Sequence, residues 1–280
     1  MASTQLETLR RAIGRHESVI VAFSGGVDST LVLKVAHDLL GARAAGLLAV
    51  SESLPAAEER EARALAESIG ARLYVVRTNE LADPRYEANP DDRCYFCKSV
   101  LFEALAAEAR RLGFSAIAYG ANRDDEGDFR PGSKAAREWG VVAPLLEAGL
   151  GKQEIRELAR ALGLSNWDKP ARACLSSRIP HGTPVTVERL ASVEKAEEAL
   201  YALGFRQVRV RWHDDIARIE LAPDEMDRLA DPEIRRRVAA GVREAGFRFA
   251  TLDLEGYRQG SLNPPLLEIQ RTRPSSDQGQ

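Results

Sequence analysis

The sequence predicts an α/β protein, a parallel sheet with helices on both faces, followed by a small α+β unit, and three observations carry that prediction. Residues 18–23 are a short apolar run rich in β-branched side chains. The run breaks at Ser24-Gly25-Gly26-Val27-Asp28-Ser29-Thr30, and residues 31–40 then repeat apolar side chains at helical spacing, so the chain reads strand, glycine turn, helix. Strand-like and helix-like runs keep alternating through residue 162, the order of a parallel sheet with crossover helices. Beyond residue 185 the order changes to helix, two strands, helix, strand. A chain of 280 residues is long for a single core. The expected division is residues 1–165, an ordered crossover over 166–184, a small unit over 185–268, and a disordered tail over 269–280.

Thr4 and Glu7 have capping-box spacing, which places a first helix over about 6–13. After the glycine turn and its helix, residues 45–50 form a second buried strand, 58–69 a helix closed by Gly70, and 72–77 a third strand. A helix opens at Cys94 and runs to about residue 111. Residues 115–120 are a strand leading into a dense polar loop, 119–132. A last strand is expected over 141–145 and a helix over 152–162, ended by Gly163. The prolines, glycine and weak periodicity of 166–184 describe the crossover. Residues 188–203 and 232–245 read as helices, 207–212 and 217–221 as a hairpin-like strand pair, and 247–252 as a closing strand.

The glycine turn has the chemistry of a phosphate cradle. Gly25 and Gly26 let backbone N–H groups face an anion without a Cβ in the way, and the helix start adds unpaired donors and a positive dipole end. Ser24, Ser29 and Thr30 can add hydroxyl donors. Asp28 makes sense beside a polyanion only with a divalent cation between them, so it is a magnesium-side candidate. The alternative is an ordinary βα turn. Neither G-x-x-x-x-G-K-[ST] nor G-x-G-x-x-G is present at this loop. Ligands of such sheets sit at the carboxyl ends of strands, which makes Ser51, Glu52 and Ser53 either nucleotide neighbours or plain loop residues. In the 119–132 loop, Gly120 and Asn122 are candidates for nucleotide contact and the carboxylates for magnesium, with Glu126 better read as solvated.

Apolar residues make up 44% of the chain, ample for a packed core, and the net charge of −3 gives no global nucleic-acid footprint. No signal-peptide pattern and no long apolar run is present, which predicts a soluble, cytoplasmic protein. Three cysteines argue against a disulfide framework and for metal or catalytic use. Cys94-x-x-Cys97 opens a helix beside Arg93 and Lys98, which favours thiolate. A redox dithiol, half a zinc site and a cluster ligand pair compete there. Zinc is weakened because only one further cysteine and four scattered histidines remain. Cys174, between Arg172 and Arg178, suits a nucleophile, a sulfur donor or a metal ligand, against the alternative of a plain buried cysteine. Arg209 and Arg211, two apart on a strand, share a face that could clamp a phosphate or carboxylate, or simply meet solvent.

The Ser-Gly-Gly-x-Asp-Ser stretch resembles the signature of the PP-loop ATP pyrophosphatases. Together with Arg93-Cys94-Tyr95-Phe96-Cys97-Lys98, the 120–132 loop, Lys169-Pro170 and Ala173-Cys174-Leu175-Ser176-Ser177-Arg178, it is similar to the LarE family, ATP-dependent sulfur transferases of nickel-pincer cofactor biosynthesis. The likeness continues through Val208-Arg209-Val210-Arg211 and Ala217-Arg218-Ile219-Glu220 to Asp253-Leu254-Glu255-Gly256-Tyr257-Arg258-Gln259-Gly260-Ser261-Leu262-Asn263. The resemblance implies that ATP adenylates a carboxylate of pyridinium-3,5-biscarboxylic acid mononucleotide, that pyrophosphate leaves, and that sulfur replaces AMP, once on each carboxylate. It implies Cys174 as the sulfur-handling residue, Arg178, Arg209 and Arg211 as substrate contacts, and Glu197 and Glu220 as acidic positions near substrate and a divalent cation.

Family members divide by cysteine content. One branch sacrifices the sulfur of a single cysteine. In the other, three cysteines hold a [4Fe-4S] cluster whose open iron carries an exchangeable sulfide. Cys94, Cys97 and Cys174 match the second pattern, provided that the pair can approach Cys174. ATP, Mg2+ and a cluster are thus the implied cofactors, with a sulfide source and a homo-oligomer, such as a hexamer, as implied partners. A PP-loop tRNA thiolase would share the ATP chemistry but should show a basic RNA face. An ammonia-using amide synthetase has no need of Cys94 and Cys97, and a nucleotide-binding regulator leaves the cysteines and paired arginines unexplained.

Overall fold

The computed structural model describes residues 2–125, 131–170 and 173–258. Glu126, Arg172, residues 259–263 of the family likeness and the 269–280 tail lie outside them. The first helix, α1 (Ala2–Gly14), has already begun before Thr4, whose carbonyl accepts from Thr8 Oγ1 at 3.0 Å. Thr4 is therefore an interior helical residue, and the expected capping box does not form.

Four parallel strands follow: β1 (Val19–Ala22), β2 (Ala44–Val50), β3 (Arg72–Arg77) and β4 (Ala116–Ala118), in the spatial order β3-β2-β1-β4. Between them run α2 (Val27–Leu40), α3 (Ala56–Ile69), the short α4 (Pro84–Glu87) and α5 (Arg93–Leu112). Val19 and Val21 of β1 enter one core with Leu31, Leu33, Ala62 and Leu158, while Ile20 enters another with Phe102, Leu105 and Ala135. The two-residue period thus reaches two cores, which is why the strand sequences are almost continuously apolar. β1 lies between β2 and β4, so the chain leaves the sheet centre in opposite directions and the loop after β1 sits at the topological switch point.

Past β4 come α6 (Pro131–Glu138), α7 (Pro144–Glu147) and α8 (Lys152–Ala161). The strand expected over 141–145 is a correction: only Val142 bridges, to Ala118. Pro144 lacks the N–H that a ladder needs and instead starts α7. The sequence pattern also gives no sign of α6, whose first turn reads as loop.

The second sheet is mixed, with α9 (Val187–Ala202) and α10 (Pro232–Glu244) packed on it. β5 (Val208–His213) and β6 (Ile216–Leu221) run antiparallel, and β7 (Phe249–Leu252) joins β6 in parallel. Its core contains Leu190, Val193, Leu200, Val210 and Val242, but also Leu175 and Ile179 of the crossover and Tyr86 of α4. The crossover is therefore anchored to the second sheet's core. Among the described residues no helix is long and apolar enough to cross a membrane.

Candidate functional site

The loop between β1 and α2 has the shape its sequence suggests. Gly25 sits at φ 72°, and a Cβ there would lie 3.0 Å from that of Ala62, so the left-handed backbone and the contact with α3 both select glycine. Gly26 caps α2. Ser24 Oγ lies 3.2 Å from Ser29 Oγ and accepts from the Gly26 N–H at 3.4 Å. Thr30 Oγ1 donates to the Gly26 carbonyl at 2.8 Å.

The loop after β4 closes on this turn. A Cβ on Gly120 would lie 2.8 Å from the backbone nitrogen of Ser29, so only glycine permits the approach. Asn122 Nδ2 donates to Asp28 Oδ2 at 2.9 Å, and the Asn122 backbone N–H is held by Asp125 at 3.1 Å. Burial pushes the Asp28 carboxyl up, and Asp125 adds to this, against the hydrogen bond from Asn122 and the charges of Lys152 and Arg156. Lys152 and Arg156 line an open cleft of about 360 Å³ with Arg160 and Trp167. Gly120, Asn122 and Asp28, far apart in sequence, thus meet at the switch point.

Ser51 and Ser53, at the end of β2, share a hydroxyl contact of 3.0 Å, and the Ser53 carbonyl accepts from the Leu175 N–H at 2.9 Å. This bond docks the Cys174 segment on the carboxyl edge of the sheet, one strand away from the glycine turn. Lys169, upstream, is ion-paired with Glu58 at 2.7 Å and Glu61 at 2.6 Å.

A second clamp ties the crossover to the Cys94-x-x-Cys97 helix. Asn89 is fully buried at φ 56°, a left-handed position that asparagine tolerates. Its Nδ2 donates to the carbonyls of Pro180 and Thr183, each at 2.8 Å, and its Oδ1 accepts from Arg93. Arg93 also donates to the Ser176 carbonyl at 3.0 Å, and the Tyr86 hydroxyl meets Ser176 Oγ at 2.5 Å. Cys94, Cys97 and Cys174 become electrostatic neighbours as a result. Burial, and then Cys174, push the Cys94 thiol up, and the same two causes hold Cys97 up at about 12. Both directions run against the lowering expected from Arg93 and Lys98: packing around the Cys97 thiol outweighs Lys98, and at Cys94, a residue that still reaches solvent, the packing on the sulfur and Cys174 outweigh Arg93 and Lys98. Among the described residues, no three His, Cys, Asp or Glu side chains converge to hold a metal ion.

The residues that the family likeness gives to the substrate form a buried charged layer between the crossover and the second sheet. Arg178 is bidentate to Glu197 at 2.8 and 2.9 Å and donates to the Cys174 carbonyl at 2.8 Å. Glu197 also accepts the Val210 N–H at 3.0 Å. Arg211 donates to Glu220 at 2.8 Å and to the Ser177 carbonyl at 3.0 Å, while Arg209 lies over the Tyr257 ring and donates to the Val208 carbonyl at 2.7 Å. Glu197 and Glu220 are thus each paired with arginine. A Glu197→Ala variant is expected to lose about 3–5 kcal/mol of folding stability, because Arg178 would stay buried without its counter-charge. Urea denaturation measures this, and a loss below about 1 kcal/mol would show that the pair does not hold the crossover.

Sequence reasoning missed Asn89 and Asn166, polar anchors in short irregular segments, and Tyr86, in a helix of four residues, all places too short for a periodicity to mark burial. Asn166, just after α8, donates through Nδ2 to the Gly25 carbonyl at 3.1 Å and to Thr30 Oγ1 at 3.0 Å.

The chain is also similar to known proteins. Residues 5–94 match the NAD synthase family model. An uncharacterized protein of Synechocystis is 46% identical over 95% of this chain and 99% of its own length. The pyridinium-3,5-bisthiocarboxylic acid mononucleotide synthase of Lactiplantibacillus plantarum is 42% identical over 96% of this chain and 97% of its own. An argininosuccinate synthase of Haloarcula marismortui is 31% identical over 52% of this chain, a shorter likeness.

Proposed function

The chain belongs to the LarE family of ATP-dependent sulfur transferases, and from that premise we propose that it converts pyridinium-3,5-biscarboxylic acid mononucleotide into its thiocarboxylate forms for nickel-pincer cofactor biosynthesis. The observation that carries the reading is the docking of the Cys174 segment on the sheet edge beside the glycine turn, through the bond from Leu175 to Ser53. A nucleotide-activating loop and a sulfur-bearing segment thus share one edge.

The chemistry begins with a carboxylate, a poor electrophile. Its oxygen bonds to the α-phosphorus of ATP, the bond to pyrophosphate breaks, and the mixed anhydride with AMP provides a leaving group. Sulfur then bonds to the acyl carbon and AMP departs. In this reading Ser24, Gly25, Gly26, Ser29 and Thr30 cradle the phosphates, with Ser51, Gly120 and Asn122 bordering the nucleotide. Asp28, raised by burial and the nearby Asp125, carries its charge best beside a magnesium ion.

The donor set of Cys94, Cys97 and Cys174 fits a [4Fe-4S] cluster better than a single ion. A single structural ion ordinarily takes four Cys or His ligands, and the chain has three cysteines and four scattered histidines. Three cysteines without a fourth leave one iron free, and the group would supply an exchangeable sulfide there. The chain's own part is to tie the crossover that carries Cys174 to the helix that carries Cys94 and Cys97, through Asn89, Arg93 and Tyr86, and to keep Cys174 at the sheet edge. Arg209 and Arg211 are assigned to the substrate phosphate, and Arg178 to shaping the segment that meets the substrate. ATP supply assigns the reaction to the cytoplasm. Apolar side chains left open at Val187, Phe249 and Leu254 support a homo-oligomer.

The test is ATP–pyrophosphate exchange with the biscarboxylate mononucleotide, followed by mass analysis of the product after sulfide addition. Exchange that depends on this substrate, and a product in which sulfur replaces oxygen, are expected. Exchange with tRNA instead of the mononucleotide would overturn the substrate assignment.

A further inference from the structure

We infer that Asn166 sets the peptide orientations of the phosphate loop and is thereby a positioning residue for nucleotide binding, an inference that rests on the nucleotide reading of that loop. Asn166 is 7% exposed, and its side chain reaches across more than a hundred residues of sequence to the turn. The carboxamide orientation is fixed by chemistry: the Gly25 carbonyl can only accept, so the group facing it at 3.1 Å is the NH2. The second N–H goes to Thr30 Oγ1 at 3.0 Å, and that hydroxyl, free to donate onward, gives its proton to the Gly26 carbonyl at 2.8 Å. One side chain therefore holds the Gly25 carbonyl directly and, through Thr30, adds to the hold on the Gly26 carbonyl, which the Thr30 N–H and Ser29 Oγ also meet at 3.0 and 3.2 Å.

The consequence follows from the planar trans peptide, in which the C=O of one residue and the N–H of the next point in opposite directions. None of the described peptide bonds is cis. With the Gly25 carbonyl turned into the protein, the Gly26 N–H must face outward, and it does so on the side of Ser24 Oγ, at 3.4 Å. With the Gly26 carbonyl also turned inward, the Val27 N–H is set the same way. These are donors of the anion cradle, and Gly25 has no Cβ to resist a flip of the peptide that follows it. Asn166 is what opposes that flip. Its Oδ1 is buried without a hydrogen-bond partner, so the site keeps the residue for its two donors.

The main chain of the same residue links two parts of the site. The Asn166 carbonyl accepts from the Lys169 N–H at 3.0 Å, and Lys169 leads into the segment that docks Cys174 on the sheet. The nucleotide loop and the sulfur-bearing crossover thus share one anchor point.

The experiment is calorimetric titration of the full chain with ATP and magnesium, for wild type, Asn166→Asp and Thr30→Val, alongside ATP–pyrophosphate exchange kinetics and thermal melts. Asn166→Asp places a carboxylate oxygen against the Gly25 carbonyl and removes both donors. Its ATP dissociation constant and KM are expected to rise about tenfold or more. Thr30→Val breaks only the Gly26 arm and is expected to give a rise of roughly threefold. Affinity for the mononucleotide should stay at the wild-type value in both. Folded variants with wild-type ATP affinity overturn the inference, and so does a fall in kcat with ATP affinity unchanged, which would mark a merely structural role. If Asn166→Asp does not fold, Asn166→Ala, which removes both donors without adding a charge, decides: a weaker ATP affinity supports the inference and an unchanged one overturns it. Wild-type protein that fails to bind ATP would overturn the nucleotide reading itself, a result distinct from equal binding by wild type and variants.

Discussion

Replacing Asp28 with alanine is expected to lower ATP–pyrophosphate exchange by roughly a thousandfold, equivalent to about 4 kcal/mol of transition-state stabilisation, while leaving the fold intact. The carboxylate stands in the first turn of α2, beside donors arranged for phosphate, and a bare negative charge there repels the ligand that the loop attracts. Burial already pushes its carboxyl up, and Asp125 pushes in the same direction. Two carboxylates near a polyanion are tolerable when a divalent cation neutralises them. Asn122 holds Oδ2 at 2.9 Å, which leaves the other oxygen for the cation. Asp28→Asn separates charge from shape: the amide keeps the volume and a hydrogen bond to Asn122, so a comparable loss in both variants assigns the effect to charge. Exchange at the wild-type rate in Asp28→Asn, measured at saturating magnesium, would remove Asp28 from the reaction.

The first sheet was legible because its signals are local. Short runs dominated by apolar residues at 18–23, 45–50 and 72–77 and the helical spacing between them are set by neighbours in sequence, and each appears as an element within a few residues of the expected place. Failures came where a tertiary or steric condition decided. The apolar run at 141–145 looks like a strand, but Pro144 cannot donate to a ladder, and only Val142 bridges. The Thr4 spacing is that of a capping box, yet the helix starts earlier.

The meeting of the glycine turn with the loop after β4 was legible for a related reason: Gly25, Gly26, Asp28 and Ser29 lie within five residues of one another, and Gly120 and Asn122 follow a strand whose end must face the same edge. The long-range anchors were not. Nothing near Asn166 or Asn89 in sequence reveals that each reaches carbonyls many residues away, because an asparagine in an irregular segment reads as a turn residue. Charge patterns misled in a different way. Arg209 and Arg211 do share a strand face, but that face is buried, and Glu220 pairs with Arg211 across it. Arg93 and Lys98 lower thiol pKa values only while solvation is unchanged. Packing around Cys97, and to a lesser extent around the sulfur of the exposed Cys94, works in the opposite direction.

Cys94→Ala is expected to abolish iron binding and catalytic turnover together, and this variant discriminates between the two sources of sulfur. The cluster reading draws on the buried clamp of Asn89 and Arg93, which ties the segment carrying Cys174 to the helix carrying Cys94 and Cys97. A sacrificial Cys174 has no use for two further thiols held against it. Anaerobically purified wild type should therefore contain about four iron and four acid-labile sulfide per chain, and its intact mass should be unchanged after repeated turnover with ATP, substrate and sulfide. In Cys94→Ala both elements should fall to background while ATP–pyrophosphate exchange persists, since the phosphate loop does not depend on the cysteine. The opposite branch has a distinct signature. Cleavage of the Cβ–S bond of Cys174 with loss of its Cα proton would convert it to dehydroalanine, lowering the protein mass by one molecule of hydrogen sulfide, and Cys94→Ala would still complete a full single round. That pair of results, with no iron in the wild type, would make this chain a single-use sulfur donor and leave Cys94 and Cys97 without the role assigned to them.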